Sequence, residues 1–201
     1  MRLHPNATFD CLLVARRLQA QGAAFTGPEL HLFAYLACLL WLYQKHIVTD
    51  WGYSFVGTEL GAPYSQEIDL ALKELLGRGF FLRVHDRLRM TELAEQTLED
   101  FSSLEMNRER AECLNAACAS IAAFSLGMVT SALSQEPELS RAKALPSSRL
   151  LLEDAAQSQL YVQFEALRSN LDQRTSDLRL PAVVWLSALY RSNTCTNLES
   201  L

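Results

Sequence analysis

Apolar residues recur with a helical period over most of the chain. Residues 6–20 repeat them three and four apart, as on one face of an amphipathic helix. Residues 28–45 are apolar on nearly every side, with Thr26 and Pro28 at their start. Such an all-round apolar segment is typical of a buried helix, and proline favours the first helical turn. The pattern predicts two helices that build the N-terminal core.

The spacing of the apolar residues changes between residues 61 and 104. A helix is predicted after Ser65, with one apolar stripe at Ile68, Leu72, Leu75 and Leu76. The next stretch, "FFLRVHDRLRMT", alternates and predicts a short hairpin with a turn at His85–Asp86. Its inner face would hold Phe80, Leu82 and Val84, and its outer face Arg83, His85, Arg87 and Arg89. A further helix is expected from Thr91 to Leu104.

The second half of the chain also has helical periods. One long helix is predicted from about residue 105 to 135. It carries a seam of small and medium side chains, suited to close helix pairing within one chain or between two: Leu114, Cys118, Ile121, Ser125, Met128 and Ala132. A loop or linker at 134–148, a helix at 149–174 and a last helix opened by Pro181 follow. We therefore predict a mainly α protein with domains at 1–104 and 105–201.

One segment has the length of a membrane span. Residues 113–135 contain no charge, but Ser, Thr, Asn and Gln interrupt them and no aromatic belt or basic flank follows. We interpret this segment as a buried or self-associating helix and expect no membrane association. The start of the chain has no uninterrupted apolar core and no cleavage site typical of a signal peptide.

Charge and cysteine usage narrow the function classes. The chain has 18 basic and 23 acidic residues, a net charge of −5, and no basic arm. It is therefore not an electrostatic DNA binder as a whole, and any nucleic-acid contact must be local or shared with a partner. The five cysteines are odd in number and form no C-x-x-C motif. This usage indicates a reducing, cytoplasmic location.

No pattern of catalytic residues stands out. The four histidines are scattered, and the sequence has no metalloprotease, phosphate-loop or nucleophile-elbow motif. We predict a protein without catalytic residues, bound metal or cofactor. An enzyme whose site is assembled from distant segments stays open as an alternative.

The predicted helix after Ser65 is not built for phosphates. Its outer face offers Gln66, Glu67, Asp69, Lys73 and Glu74. Groove-reading helices normally present arginine, lysine, asparagine or glutamine in their first turn. The acids also suit the positive end of a helix dipole, so simple helix stabilisation explains them as well. We predict that Gln66, Glu67, Asp69 and Lys73, with Cys118 and Ser125 of the long helix, contact a partner protein.

The hairpin is basic where that helix is acidic. Arg83, His85, Arg87 and Arg89 would form a solvated strand face, touch phosphates or a minor groove, or dock on an acidic protein surface. DNA binding by these four residues is one of the three readings. All three stay open at the level of the sequence.

The stretch from Gly61 to about residue 104 resembles a known winged-helix pattern. The matching residues are Gly61, Pro63, Tyr64, Ser65, Leu75, Gly79, Phe80 and Thr91. In this run the chain is similar to accessory (small) subunits of Lamassu-type, three-component ABC/SMC-ATPase defence systems, and to antitoxin-like winged-helix proteins. The resemblance implies a winged helix-turn-helix unit with a short β-hairpin wing, embedded in a helical protein.

The resemblance also implies a function and partners. A non-catalytic subunit of this kind docks on an SMC-like or ABC-type ATPase, together with an effector subunit, in a bacterial anti-phage or anti-plasmid complex. DNA contact through the wing and homo-oligomerisation are further expectations left open. The alternative from another class is a stand-alone winged-helix transcription regulator or antitoxin.

Overall fold

The described residues form a mainly helical protein with one three-stranded sheet and one two-stranded antiparallel sheet. A computed structural model describes residues 4–22, 24–144, 148–171 and 177–198. The helices are α1 Pro5–Gln19, α2 Gly27–Tyr43, α3 Gln66–Gly77, α4 Glu92–Ser102, α5 Arg108–Ala119, α6 Leu126–Leu133, α7 Pro137–Ala144, α8 Asp154–Asn170 and α9 Arg179–Leu198. The strands are β1 Val56–Gly57, β2 Pro63–Tyr64, β3 Phe81–Val84, β4 Arg87–Met90 and β5 Arg149–Leu150.

The chain divides into two compact units, each formed by two stretches of sequence. The first unit combines Met1–Ser54 with Tyr64–Cys118, and the second combines Phe55–Pro63 with Ala119–Leu201. This division differs from the predicted boundary at residue 104. Helix α5 belongs to the first unit, and a short segment between α2 and α3 belongs to the second.

The first unit is built around α1 and α2. Helix α2 is buried along most of its length because its residues are apolar on nearly every side. The main-chain N–H of Thr26 donates to the Glu29 carboxylate at 2.9 Å, which fixes the start of α2 as the sequence predicts. Helix α1 packs against α2, α3 and α4. The predicted order of helix, hairpin and helix between Ser65 and Leu104 is confirmed.

A buried ion pair lies in the interior of this unit. The Arg110 guanidinium donates to both carboxylate oxygens of Asp10, at 2.6 and 2.7 Å, and to the Trp51 carbonyl at 2.8 Å. The Tyr53 hydroxyl also donates to Asp10, and the guanidinium carbon lies 3.7 Å from the centroid of the Trp51 ring. These contacts fix Trp51 and Tyr53 onto α1 and α5 within this unit.

The second unit contains the later helices and a three-stranded sheet. Strand order is β2-β1-β5, with Val56 paired to Leu150 and Gly57 to Arg149. Helix α9 packs on α6 and α8, and the Trp185 and Phe164 rings meet edge to face with centroids 5.6 Å apart. Trp185 therefore packs the last helix onto its own unit.

The predicted long helix at 105–135 is wrong. The helical path is interrupted by 3-10 turns at Glu105–Asn107 and Ser120–Ala122, and α6 begins only at Leu126. The Ser125 hydroxyl accepts from the Met128 N–H at 3.3 Å, so Ser125 starts a new helix instead of continuing one. The apolar spacing did not reveal this break because each half keeps a helical period by itself.

Two further boundaries differ from the prediction. The expected linker at 134–148 contains α7, and its residues 145–147 lie outside the described part of the chain. The helix predicted at 149–174 begins at Asp154, since Arg149 and Leu150 pair with β1. Its expected end at residue 174 also lies outside the described residues.

Candidate functional site

Helix α3 and the β3–β4 hairpin together carry most of the predicted site residues. The hairpin follows α3 through Gly79, whose φ of +74° turns the chain, and α3 packs against β3. Gln66 and Lys73 are exposed, and Glu67 and Asp69 are half-buried. The predicted partner-binding residues of α3 are thus brought together on one element beside the hairpin.

The charges of α3 are largely paired with one another. Lys73 lies 2.6 Å from Asp69, and Arg78 lies 2.5 Å from Glu74, both one helical turn apart. The Glu67 carboxylate accepts from the Ser65 hydroxyl at 2.9 Å. Both cations of this segment therefore face a carboxylate, which leaves α3 without a surplus of positive charge for phosphates.

His31 fixes the start of α3, a role that the sequence did not reveal. Its Nδ1 accepts from the Ser65 N–H at 3.1 Å, and its ring stacks on Tyr64 with centroids 4.9 Å apart. Burial lowers the pKa of His31 to about 4, against an opposing effect of Asp69. A histidine inside an otherwise apolar helix was the available signal, but its partner lies 34 residues away.

The faces of the hairpin differ from the predicted alternation. Phe81, not Phe80, is the buried residue of β3, while Leu82 and Val84 are exposed. The register pairs Phe81 with Met90, Leu82 with Arg89, Arg83 with Leu88 and Val84 with Arg87. Opposed residues share a face of a sheet. The inner face is therefore Phe81, Leu88 and Met90, and the predicted inner residues Leu82 and Val84 lie on the other face. The predicted alternation is one residue out of step with the observed one, and such a shift puts every side chain of β3 on the opposite face.

This register also separates the predicted DNA-binding residues. Arg87 and Arg89 lie on the outer face with Leu82 and Val84, whereas Arg83 lies on the side of Leu88 and His85 occupies the turn with φ +59°. The expectation that all four basic residues point the same way is wrong. Arg87 also donates to the Ala24 carbonyl at 2.7 Å. The outer face thus combines two apolar side chains with two arginines.

Cys118 and Ser125 do not share a surface seam. The Cys118 side chain is buried in the first unit, so it presents no surface to a partner. Ser125 is exposed and caps α6 in the second unit. The break between α5 and α6 separates the two residues that a continuous helix would have aligned.

The buried thiols do not form a nucleophilic site. Cys11, Cys38, Cys113 and Cys118 are free and buried. Burial raises the pKa of Cys113 and Cys118 to about 12, which keeps both as neutral thiols near pH 7. Among the described residues, no group of three or more His, Cys, Asp or Glu side chains is arranged to hold a metal ion.

His46 packs against an aromatic ring and lies near a carboxylate. Its ring stacks on Trp41 with centroids 3.9 Å apart, and its Nε2 lies 3.8 Å from a Glu109 oxygen. Asp50, four residues later, lies in the 3-10 turn Val48–Trp51. These contacts account for the position of the His46 ring.

Length and composition bear on the membrane question. Within the described ranges, no single helix is both long and apolar enough to cross a bilayer; Glu105–Ala122 and Leu126–Leu133 pass that test only as a sharply bent pair.

Comparison with known proteins adds no relative. No protein-family model, curated protein sequence or solved structure matches the chain.

Proposed function

We propose that this chain is a non-catalytic docking subunit built on a winged-helix unit. On the sequence resemblance, its partner is an SMC-like or ABC-type ATPase, with an effector subunit, in a bacterial anti-phage or anti-plasmid complex. The observation that carries the docking function is the surface of α3 and the hairpin: an acid-bearing helix with internally paired cations, beside two exposed apolar side chains.

Element order supports the winged-helix part of the proposal. A winged helix has a first helix, a short strand, two helices and a hairpin whose second strand pairs with that short strand. Here Phe25, between α1 and α2, forms an antiparallel bridge with Leu88 of β4. On this proposal, helix α3 corresponds to the recognition helix, the element that enters the DNA groove in DNA-binding winged helices. The segment between α2 and α3 is much longer than a helix-turn-helix turn, and part of it belongs to the second unit.

The charge of α3 favours a protein partner over DNA. Glu67 and Asp69 stand in the first turn of α3, where a recognition helix meets base edges and phosphates. A carboxylate there is repelled by phosphates, and Lys73 and Arg78 already face acids. Polypeptide surfaces have no such uniform negative charge, so the same face can pack against them.

A stand-alone regulator or antitoxin is the second candidate. It is favoured by the hairpin, where three arginines and His85 surround a single acid, Asp86. A regulator needs these residues to bind DNA without help from another subunit. Because α3 adds no free cation, the hairpin would have to supply nearly all phosphate contacts.

Affinity purification from the native host tests the docking function. The tagged full-length chain should retain a large ATPase at fixed stoichiometry through washes at high salt, identified by mass spectrometry. The test variant alters α3 by Gln66→Lys with Asp69→Lys, at an exposed and a half-buried position outside the core. Loss of the ATPase from this variant, with its fold intact by circular dichroism, supports docking through α3. Recovery of the chain alone, together with operator DNA, would favour the regulator.

A further inference from the structure

Strand β3 is an open sheet edge. It pairs with β4 on one side, and no strand in the described part of the chain pairs with its other side. Leu88 of β4 exchanges two main-chain hydrogen bonds with Phe25, at 3.0 and 2.7 Å, so its N–H and C=O point away from β3. In an antiparallel ladder the residue opposite such a position also points its polar groups outward. That residue is Arg83, whose N–H and C=O therefore face the open edge.

The side chains beside this edge form two distinct faces. Leu82 and Val84, with exposed fractions of 55% and 39%, lie on one face, and Arg83 lies on the other. Successive residues of a strand added to β3 would lie next to these faces in turn. Its residues beside Leu82 and Val84 would be apolar, and the residue beside Arg83 would be acidic.

We propose that the open edge of β3 binds an extended segment of a partner protein in which apolar and acidic residues alternate. The main-chain groups of Arg83 give the register, and the two faces give the selectivity. The Arg83 side chain, on the face where the acid of the segment would lie, complements its charge, whereas Arg87 and Arg89 lie on the face of the apolar residues. This inference rests on the proposed docking function and defines the chemistry of the docked segment.

Nucleic acid fits this edge less well. Phosphates would engage the arginines but leave Leu82 and Val84 beside the charged backbone without apolar contacts. Arg87 already donates to Ala24, and the adjoining helix α3 carries Glu67 and Asp69. An alternating segment satisfies the edge, the apolar pair and Arg83 at the same time.

The test uses two capped six-residue peptides, one alternating glutamate with valine and one alternating lysine with valine. Both are titrated into the full-length ¹⁵N-labelled chain and followed by amide shifts and hydrogen exchange. The glutamate peptide should bind about three- to tenfold more tightly, because the cross-strand pair with Arg83 changes from attraction to repulsion. Exchange of the Arg83 amide should slow on binding. In an antiparallel ladder the glutamate opposite Arg83 donates its N–H to the Arg83 C=O, so a peptide N-methylated at its glutamates cannot complete the ladder and should lose binding.

A charge swap makes the test specific to Arg83. The variant Arg83→Glu should reverse the preference of the chain, so that the lysine peptide becomes the tighter ligand. Arg108→Glu changes the net charge equally at an exposed position of α5 and should leave the preference unchanged. Equal affinity of both peptides, or binding without any effect on the Arg83 amide, overturns the proposal. Tighter binding of a duplex DNA through the same amides would also overturn it and assign the hairpin to nucleic acid.

The docking function can be judged separately. If the ATPase co-purifies with the chain but neither peptide binds, docking uses another surface and only the edge proposal fails. If nothing co-purifies while the glutamate peptide binds with the expected selectivity, the edge proposal stands and the assignment of the partner fails.

Discussion

Asp10 and Arg110 place two full charges in the interior of the first unit. Their side chains are 0% and 6% exposed, and they interact through two hydrogen bonds. Burial would lower the pKa of Arg110, but the adjacent Asp10 charge outweighs this effect and raises it. The Arg110 guanidinium therefore remains charged, and its hydrogen bonds to the Asp10 carboxylate offset its loss of solvation.

Removing one member of this pair should be more harmful than removing both. We expect Arg110→Met to lower the free energy of unfolding by about 3–5 kcal/mol, because it leaves a buried carboxylate without its cation. The double variant Asp10→Leu with Arg110→Met should cost less than the single one. Urea unfolding of the parent chain, the single variant and the double variant gives these free energies. Arg108→Met, at an exposed pair with Glu105, is the control and should cost less than about 1 kcal/mol. A single-variant cost equal to that of the control would contradict a structural role for the pair.

His31 makes stability depend on pH. Its pKa falls from 6.5 in the unfolded chain to about 4 in the folded one, so the unfolded state binds more protons between these values. The contribution of neutral His31 to the free energy of unfolding is complete above pH 6.5 and is lost as the pH falls toward 4. Over that window this group should account for about 3 kcal/mol.

The variant His31→Asn isolates this contribution. Asparagine can accept from the Ser65 N–H but does not titrate. The difference in unfolding free energy between the parent chain and this variant should change by the full amount between pH 7 and pH 4. A difference that stays constant over the window would show that His31 is protonated as readily in the folded protein as in the unfolded one.

At the scale of elements, amphipathic helices were predictable and their interruptions were not. The apolar stripe of α3 and the all-round apolar character of α2 determine both elements locally, so their positions follow from the sequence. The break before α6 depends on one cap at Ser125 within a run that has no proline and no charge. The hairpin shows the same limit. Its existence follows from the alternation, but its faces depend on which of two adjacent phenylalanines enters the core.

Ser125→Ala distinguishes a capped helix from a continuous one. Because Ser125 is the N-cap of α6, the change should lower the free energy of unfolding by about 1 kcal/mol. In the interior of a continuous helix, alanine would be neutral or stabilising, since it is the better helix former. Thermal or urea unfolding of the full-length parent and variant shows whether the substitution lowers or raises the free energy of unfolding. A stabilising effect would restore the long helix that the sequence predicted.

The segment Phe55–Pro63 shows why the two-unit architecture escaped sequence reasoning. A side chain at Gly57 would lie 2.5 Å from the Ala142 Cβ and 3.2 Å from Leu151, so β1 requires glycine to pack within the second unit. Nothing in "YSFVG" indicates partners nearly a hundred residues later. The spacing of apolar residues within one segment carries no information about such contacts with distant segments.

Gly57→Ala should therefore destabilise the protein by about 1–3 kcal/mol through overpacking. Gly127→Ala is the matched control, because that glycine lies in α6 at an ordinary helical φ, and a methyl group added there would meet no atom within 4 Å. The control should be neutral or stabilising by up to about 1 kcal/mol. Differential scanning calorimetry compares the two. Equal effects of both substitutions would contradict the packing of β1 on α7.

At the scale of the whole molecule, the proposal of a protein partner rests on charge and surface chemistry. The chain carries a net charge of −5, and its basic residues on the hairpin adjoin an acid-bearing helix. The acidity of the helix and the basicity of the hairpin were predictable, since they depend only on residue identity. Which arginines share a face was not predictable, because it depends on the register between β3 and β4. The partner itself is inferred from the resemblance and from the apolar pair on the hairpin.

The central claim is that this surface is suited to polypeptide rather than to DNA. The most direct measurement is the affinity of the purified full-length chain for a random pool of duplex DNA at several salt concentrations. Three hairpin arginines allow a log–log slope no steeper than about −3, with weak and sequence-independent binding. A slope of about −6 or steeper, with selection of one operator sequence from the pool, would contradict the claim.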